Sequence, residues 1–217
     1  MKPTKRSSRL QPFYRFPKVH AQQAAAAVLG CMEFLMLVLD QIVTSRLLLL
    51  RISHQDFDEL ALMHRDPQVM ATLGGVRSTA QTIEFLDREL DHWQRNGFGL
   101  WVVRDISTGR FAGRGGLRHT LITGSEQLEI VFGFMPGFWG RGLATELARE
   151  SVRMGFSILN KIDLISLTLP TNAASRKVME KVGLQHERDI LDDELTLALY
   201  RITAPQWHKT KKNHSHV

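Results

Sequence analysis

A ten-residue segment with three glycines, Pro136-Gly137-Phe138-Trp139-Gly140-Arg141-Gly142-Leu143-Ala144-Thr145, constrains the fold of this chain most strongly. An apolar, strand-like stretch precedes it, and an amphipathic helical pattern follows it. A helix N-terminus behind a glycine loop offers unpaired N–H groups to an anion. Leu143 and Ala144 exclude a Walker A loop, and Thr145 departs from the dinucleotide fingerprint. The segment therefore predicts a phosphate site of another kind, with a ligand-free glycine turn as the alternative.

Hydrophobic periodicity predicts one α/β domain with a mixed sheet. Ser53 and Ser78 begin two helices with capping-box patterns, Pro67 stops the first helix and Gly97 ends the second. A hairpin turn at 107–109 indicates that the central strands are antiparallel. The predicted strands cover 47–52, 99–104, 110–119, 127–135, 162–169, 184–190 and 194–202, and the two later helices cover 143–159 and 172–182.

The net charge of +6 is concentrated at the two ends of the chain. Segments 1–20 and 209–217 hold nine Lys and Arg residues and no acid. The remaining residues carry 19 basic against 22 acidic side chains, a formal charge of −3. We therefore predict no nucleic-acid partner. The alternative, binding through the basic ends, predicts a salt-sensitive affinity that disappears when both ends are removed.

The N-terminal region is basic and then apolar over Ala24 to Leu39. Glu33 interrupts this run, which is shorter than the roughly 20 residues of a membrane-spanning helix. We predict a cytoplasmic protein without a membrane span, as a monomer or homodimer. Residues 1–43 are predicted to be an extension, disordered or helical, whose first 31 residues are dispensable for folding. The folded domain is predicted to cover 44–207, followed by a disordered basic tail at 208–217.

A single cysteine, Cys31, cannot form an internal disulfide. The nine histidines show no spacing typical of metal ligands. The sequence therefore predicts a reduced protein without a metal site.

Two separated motifs carry a family resemblance. Glu129 to Glu146 resembles the acetyl-CoA segment of the GNAT acyltransferase superfamily, and Asn172 to Gly183 is similar to the closing motif of its RimJ and RimL branch. The resemblance spans about 44–207 and implies a mostly antiparallel mixed sheet flanked by helices. It also implies transfer of an acetyl group from acetyl-CoA to a primary amine, of a protein N-terminus or a small molecule, by direct attack in a ternary complex. The alternative is a non-catalytic acyl-CoA-binding module.

The resemblance also implies which residues hold coenzyme A. The main chain of the glycine segment would bind the pyrophosphate, with added charge from Arg141 and a hydroxyl from Thr145. The amides of Phe134 and Met135 would bind the pantetheine and stabilise the oxyanion. Asn172 caps a helix and is also expected to contact the cofactor arm or the acceptor. The implied cofactor-binding residues are Phe134, Met135, Trp139, Gly140, Arg141, Gly142, Leu143, Ala144, Thr145, Asn172 and Ser175.

Two residues are candidates for proton transfer. Glu129 is the candidate base, because an alkyl ammonium has a pKa near 10 and must lose a proton before attack. The alternative is an exposed strand glutamate that pairs with a basic neighbour. Relatives carry a proton-donating tyrosine at the position of Met179, so Ser175 becomes the candidate donor to the thiolate sulfur. A solvent-facing serine is the alternative.

The acceptor amine itself is not defined by any motif. The resemblance places its pocket around Leu73 to Arg77 and Gly97 to Leu100. A third glycine-rich run, Gly113 to Gly116, interrupts a predicted strand and is expected to mark a β-bulge rather than a second phosphate site.

Overall fold

The computed structural model describes residues 39–192 and 194–214. An eight-stranded sheet in the order β1-β2-β3-β4-β5-β6-β8-β7 forms the centre of this part of the chain. Only β5 and β6 pair in parallel among these strands, so the predicted mixed, mostly antiparallel sheet is confirmed. The strands are β1 Gln41–Val43, β2 Leu47–Arg51, β3 Leu100–Asp105, β4 Phe111–Ile122, β5 Ser125–Phe134, β6 Asp163–Thr168, β7 Gln185–Asp192 and β8 Leu195–Thr203.

The third helix begins and ends at residues that satisfy its terminal backbone groups. In the third helix, Ser78 and Gln81 form the predicted capping box, with the Gln81 amide donating to Ser78 Oγ over 3.2 Å. Gly97 ends that helix in the left-handed conformation, with φ of +70°. The described helices are α1 Phe57–Arg65, α2 Pro67–Met70, α3 Thr79–Asn96, α4 Leu143–Ser157, α5 Ala173–Lys181 and α6 Ala204–His214.

Pro67 ends one helix, as predicted, and begins another. It stops α1, but it also occupies the first position of α2, where its missing N–H group costs nothing. Asp66 caps this short helix by accepting hydrogen bonds from the amides of Gln68 and Val69. The predicted stop of the first helix at Pro67 is therefore confirmed, and the short helix α2 is an element that the sequence pattern did not predict.

The two ends of the described chain are more ordered than the sequence predicted. Strand β1 lies within the segment assigned to the extension, yet it pairs with β2 and buries Ile42. At the other end, α6 runs to His214 through most of the predicted disordered tail. Trp207 anchors this helix, since its ring stacks on Phe156 at 5.2 Å between centroids. The predictions for residues 1–31 lie outside the described residues.

The helices cover opposite faces of the sheet. A Cβ atom on Gly115 of β4 would lie 2.6 Å from Leu147 of α4. A Cβ atom on Gly133 of β5 would lie 2.9 Å from Met63 of α1. Gly115 pairs with Phe132, the neighbour of Gly133, so these two glycines face opposite sides of the sheet. Helix α4 therefore lies on one face and α1 on the other.

Strands β5 and β6 separate after a short contact. Their register contains a single pair, Glu129 with Ile165. Ser166 of β6 also donates a hydrogen bond to the Ile130 carbonyl over 2.8 Å. Towards Phe134, the strands diverge and leave an opening at the carboxyl end of β5.

The predicted β-bulge lies beside the glycine run rather than within it. The register between β3 and β4 shifts between Val103 and Arg104 and skips Ala112. Gly113 to Gly116 stay paired with both neighbouring strands. In the described part of the chain, no helix has the length and apolar character needed to cross a bilayer.

Candidate active site

Among the residues that the structure describes, no side chain caps the N-terminus of α4. Gly142 occupies the N-cap position with φ of +77°, and the amides of the first turn donate to no side chain of this part of the chain. Glu146 is the first residue whose amide bonds within the helix, to the Gly142 carbonyl over 3.1 Å. The amides of Leu143, Ala144 and Thr145 therefore stay available to an anion.

Arg46, which was not among the predicted site residues, lies against this helix end. Arg46 donates from Nη1 to the Arg141 carbonyl over 2.7 Å and from Nε to Glu146 Oε2 over 2.7 Å. A Cβ atom on Gly142 would lie 3.7 Å from Arg46 Nη2. Arg46 is far from the glycine segment in sequence, so no local pattern connects the two.

A groove of about 1230 Å³ begins at Gly142 and continues between α4 and α5. We call it the α4 groove. Arg46 pairs with Glu146 and Arg153 pairs with Glu150 on its wall. In the described part of the chain, Arg149 and Lys181 on the same wall form no ion pair. The charged residues that line it are Arg46, Glu146, Arg149, Glu150, Arg153, Glu180 and Lys181.

The Arg141 side chain does not point along the α4 groove. Its Nη2 atom donates to Asp105 Oδ2 over 2.9 Å, and its guanidinium lies 5.4 Å from the centre of the Phe138 ring. Ser107 and then Arg141 lower the pKa of the Asp105 carboxyl. A contact of the Arg141 side chain with a phosphate stays a prediction, and it would require the side chain to leave Asp105. The main chain of Arg141 remains within the loop.

A second cavity, of about 520 Å³, fills the opening between β5 and β6. We call it the β5–β6 cavity. Glu129 of β5 and Ser175 of α5 both line it, so the structure brings the two candidate proton-transfer residues together. Leu73, Gly74, Gly75 and Arg77 line it, whereas Gly97 to Leu100 do not, since Gly99 packs on Trp93. The assignment of both segments to the acceptor pocket stays a prediction.

The Glu129 side chain is buried and ion-paired. It is 5% exposed, and Arg118 Nε donates to its Oε2 atom over 3.0 Å. The two residues are direct cross-strand partners on β4 and β5. The other oxygen, Oε1, accepts no hydrogen bond within the described part of the chain. Glu129 therefore pairs with a basic neighbour, as the alternative held, but it is buried rather than exposed. It also lines a cavity, and its role as a base stays a prediction.

A second buried carboxylate lies on the far side of Arg118. Glu89 of α3 is 2% exposed, and its Oε1 atom is 3.8 Å from Arg118 Nη1. Burial raises the pKa of Glu89. Glu129 and then Glu89 raise the pKa of Arg118. Arg118 therefore stays charged and holds Glu129 in one orientation.

Asn172 and Ser175 form a closed pair at the start of α5. Asn172 Oδ1 accepts from the Ser175 amide, and Asn172 Nδ2 donates to Ser175 Oγ, each over 3.1 Å. Each end of the Asn172 amide therefore makes one hydrogen bond inside the protein, and the cofactor or acceptor contact of Asn172 stays a prediction. Because Ser175 Oγ accepts here, its own hydrogen is free to donate into the β5–β6 cavity. Met179 lines the same cavity and is 2% exposed.

The backbone amides of Phe134 and Met135, at the end of β5, point in opposite directions. The Met135 amide donates to the Ala112 carbonyl over 2.8 Å, so it is not available to a ligand. Main-chain groups alternate along a strand, and Ile130 already faces β6. The Phe134 amide therefore points to the open edge of β5. The Phe134 carbonyl on this edge accepts from Trp139 Nε1 over 2.7 Å.

Comparison with known proteins identifies the family of this chain. The family model described as the acetyltransferase (GNAT) domain matches residues 46–185, more than half of the chain. The chain belongs to the GNAT acetyltransferase family. Assignment to the RimJ and RimL branch stays a prediction.

Relatives of this GNAT protein include the uncharacterized protein YkkB of Bacillus subtilis, which is 30% identical over 74% of this chain and 94% of its own length. The FsC-acetyl coenzyme A-N(2)-transacetylase of Aspergillus fumigatus is 29% identical over 78% of each chain. Among solved structures, a GNAT acetyltransferase from Bacillus anthracis has a TM-score of 0.63 at 24% identity, covering 75% of this chain and 98% of that chain. The protein is therefore an acetyl-CoA-dependent acetyltransferase.

Proposed function

We propose that this enzyme transfers an acetyl group to a primary amine by direct attack in a ternary complex. The observation that carries the proposal is the meeting of Glu129 and Ser175 at the β5–β6 cavity. One residue accepts protons and the other donates a hydrogen bond, and the cavity lies beside the open edge of β5.

The α4 groove fits the phosphates of coenzyme A. The uncapped N-terminus of α4 and the Arg46 guanidinium provide N–H donors and positive charge at one point. Arg149 and Lys181 provide unpaired cations farther along the groove. The Phe134 amide faces the direction in which the pantetheine arm would run. Acetyl-CoA supplies a thioester whose acetyl group accepts a nucleophile.

Glu129 is the proposed proton acceptor for the attacking amine. Arg118 holds Oε2, so Oε1 is the oxygen that can take a proton from the ammonium group, directly or through one water. The neutral nitrogen then adds to the acetyl carbon, the bond from carbon to sulfur breaks, and the thiolate leaves. The acylated nitrogen gives up its second proton, which passes through solvent to the thiolate sulfur, so the products are the amide and the free thiol. Ser175 donates a hydrogen bond to the departing sulfur, because its hydrogen is free.

Product analysis tests this function directly. The full chain would be incubated with acetyl-CoA and a panel of a polyamine, amino acids, an aminoglycoside and peptides with a free N-terminus. We expect thiol release that depends on one class of amine and an equal amount of N-acetylated product by mass spectrometry. Release of thiol without any N-acetylated product, or acetyl transfer to hydroxyl groups alone, would contradict the proposal.

A further inference from the structure

A buried arginine in the β5–β6 cavity has donors without partners. Arg114 of β4 lines this cavity and is 3% exposed. In the described part of the chain, its Nε and Nη1 atoms are buried and have no hydrogen-bond partner. Such donors are rare in proteins, because burial without a partner costs stability. Burial is also the main cause that lowers the pKa of Arg114 to about 9.

A second guanidinium, that of Arg77, belongs to a residue that lines the same cavity. Arg77 follows the glycine loop that lines the cavity, and its guanidinium lies 5.0 Å from the Phe85 ring. Arg114 lies 4.5 Å from the same ring. Arg77 Nη1 is 3.5 Å from His64 Nε2, and burial lowers the pKa of His64 to about 3. A neutral His64 therefore accepts from Arg77 and orients it.

Positive charge exceeds negative charge around this cavity. Arg77, Arg114 and Arg118 line it, and Arg88 lies behind them at 5.9 Å from Phe85. The two buried carboxylates, Glu89 and Glu129, both flank Arg118. Within the described residues, Arg77 and Arg114 have no carboxylate partner. An exposed aspartate, Asp192, adds one negative charge to the wall. Like charges in a partly buried site are stabilised by a bound anion.

We propose that the acceptor amine carries a carboxylate group, which Arg114 and Arg77 bind while the amine faces Glu129. The inference rests on the proposed function and names its substrate class. Arg114 pairs across the strands with Gly133, which lies on the same face of β5 as Glu129. One face of the sheet therefore presents a cation and an anion to the two ends of an amino acid. Guanidinium groups suit a carboxylate because two parallel N–H donors match its two oxygens.

Matched pairs of acceptors test the proposal. Glycine, β-alanine and 4-aminobutyrate would each be compared with the corresponding carboxamide, by acetyl-CoA-dependent thiol release. We expect at least one acid to exceed its amide in kcat/KM by about 10-fold or more. Arg114→Met should lower kcat/KM for that acid by roughly 10- to 100-fold, mainly through KM, and for the amide by less than about 3-fold. Arg114→Lys should keep part of the preference, because it keeps the charge without the paired donors.

The control variant is Arg188→Met, which removes an exposed arginine of β7, 55% exposed and away from the cavity. It should leave the preference unchanged. Equal turnover of acids and amides by the parent enzyme, or equal losses for both in a folded Arg114→Met protein, would overturn the proposal. If no amine is acetylated, the proposed function fails. Melting temperature with coenzyme A and each acid or amide then decides the carboxylate site alone, since a bound acid must stabilise the parent but not Arg114→Met.

Discussion

The α4 groove and the β5–β6 cavity are built by different means. The α4 groove presents main-chain N–H groups at a helix end, with Arg46, Arg149 and Lys181 near the surface. The β5–β6 cavity presents side chains, and its charged residues Arg114 and Glu129 are almost fully buried. A site of main-chain N–H groups tolerates replacement of its side chains, but it does not tolerate a side chain added where the ligand lies. A site of buried charges depends on each member of the network.

This difference predicts where single substitutions have large effects. In the α4 groove, the sensitive positions are glycines, because a side chain fills the space that the ligand needs. In the β5–β6 cavity, the sensitive positions are charged residues. Each of the following experiments changes one of the two regions and compares it with a matched control variant.

The largest effect is expected at Gly142. Gly142→Asp places a side chain and a negative charge beside the uncapped amides of α4, so the Kd for coenzyme A should rise by at least roughly 100-fold. Gly142→Asn is the matched control, because it has the same shape and strain at φ of +77° without the charge. Calorimetry should show a smaller loss for Asn than for Asp. Unchanged affinity for coenzyme A in a folded Gly142→Asp protein would show that the phosphate does not bind at this helix end.

The next effect concerns acid stability near the β5–β6 cavity. Burial, then Arg114 and Arg77, lower the pKa of His64 from 6.5 to about 3. The unfolded chain therefore binds a proton that the folded chain does not, so this contribution to stability is complete above pH 6.5 and is lost as the pH falls towards about 3. As the pH falls through this window, the unfolding free energy of His64→Gln should decrease less than that of the parent, by up to several kcal/mol.

The control for this measurement is His186→Gln, which replaces an exposed histidine of β7. Denaturant unfolding at several pH values gives the free energy for parent and both variants. An identical pH dependence in the parent and in His64→Gln would show that His64 gains a proton without cost to the fold.

A smaller effect separates two arginines at the glycine segment. Arg46→Met removes a guanidinium from beside Gly142 and should raise the Kd for coenzyme A by about 10-fold. Arg141→Met removes a side chain that is turned towards Asp105, so the Kd should change by less than about 3-fold. The reverse order of the two effects in calorimetry would show that Arg141 leaves Asp105 when the cofactor binds.

The difference between a site of local main-chain groups and a site of side chains from distant strands also explains how much could be predicted from the sequence. The glycine segment, the Ser78 capping box and the Asn172 cap are local signals, and the structure contains each at the predicted place. Strand β1 is too short for a periodic pattern, and α6 depends on the packing of Trp207 against a distant ring. These two elements could not be predicted from local sequence.

The partners within the site are also beyond a local pattern. Arg46 lies 95 residues before Arg141, whose carbonyl it contacts, and Glu129 faces Arg118 only through the register of β4 and β5. Arg114 lies in the glycine run Gly113 to Gly116, which was predicted only to mark a β-bulge. A strand register would have identified it, because alternate residues from Arg114 to Arg118 share the face of Glu129.

The central claim is that Glu129 accepts the proton of the attacking amine, and the pH dependence of Glu129→Gln tests it most directly. With chemistry limiting the rate, turnover at neutral pH should fall by roughly 100-fold or more, while coenzyme A affinity and melting temperature stay close to the parent values. Activity should recover in part as the pH rises, because more of the amine is then neutral. Glu126→Gln, an exposed substitution on the same strand, is the matched control and should keep parent activity. Parent turnover at neutral pH in Glu129→Gln would contradict the account.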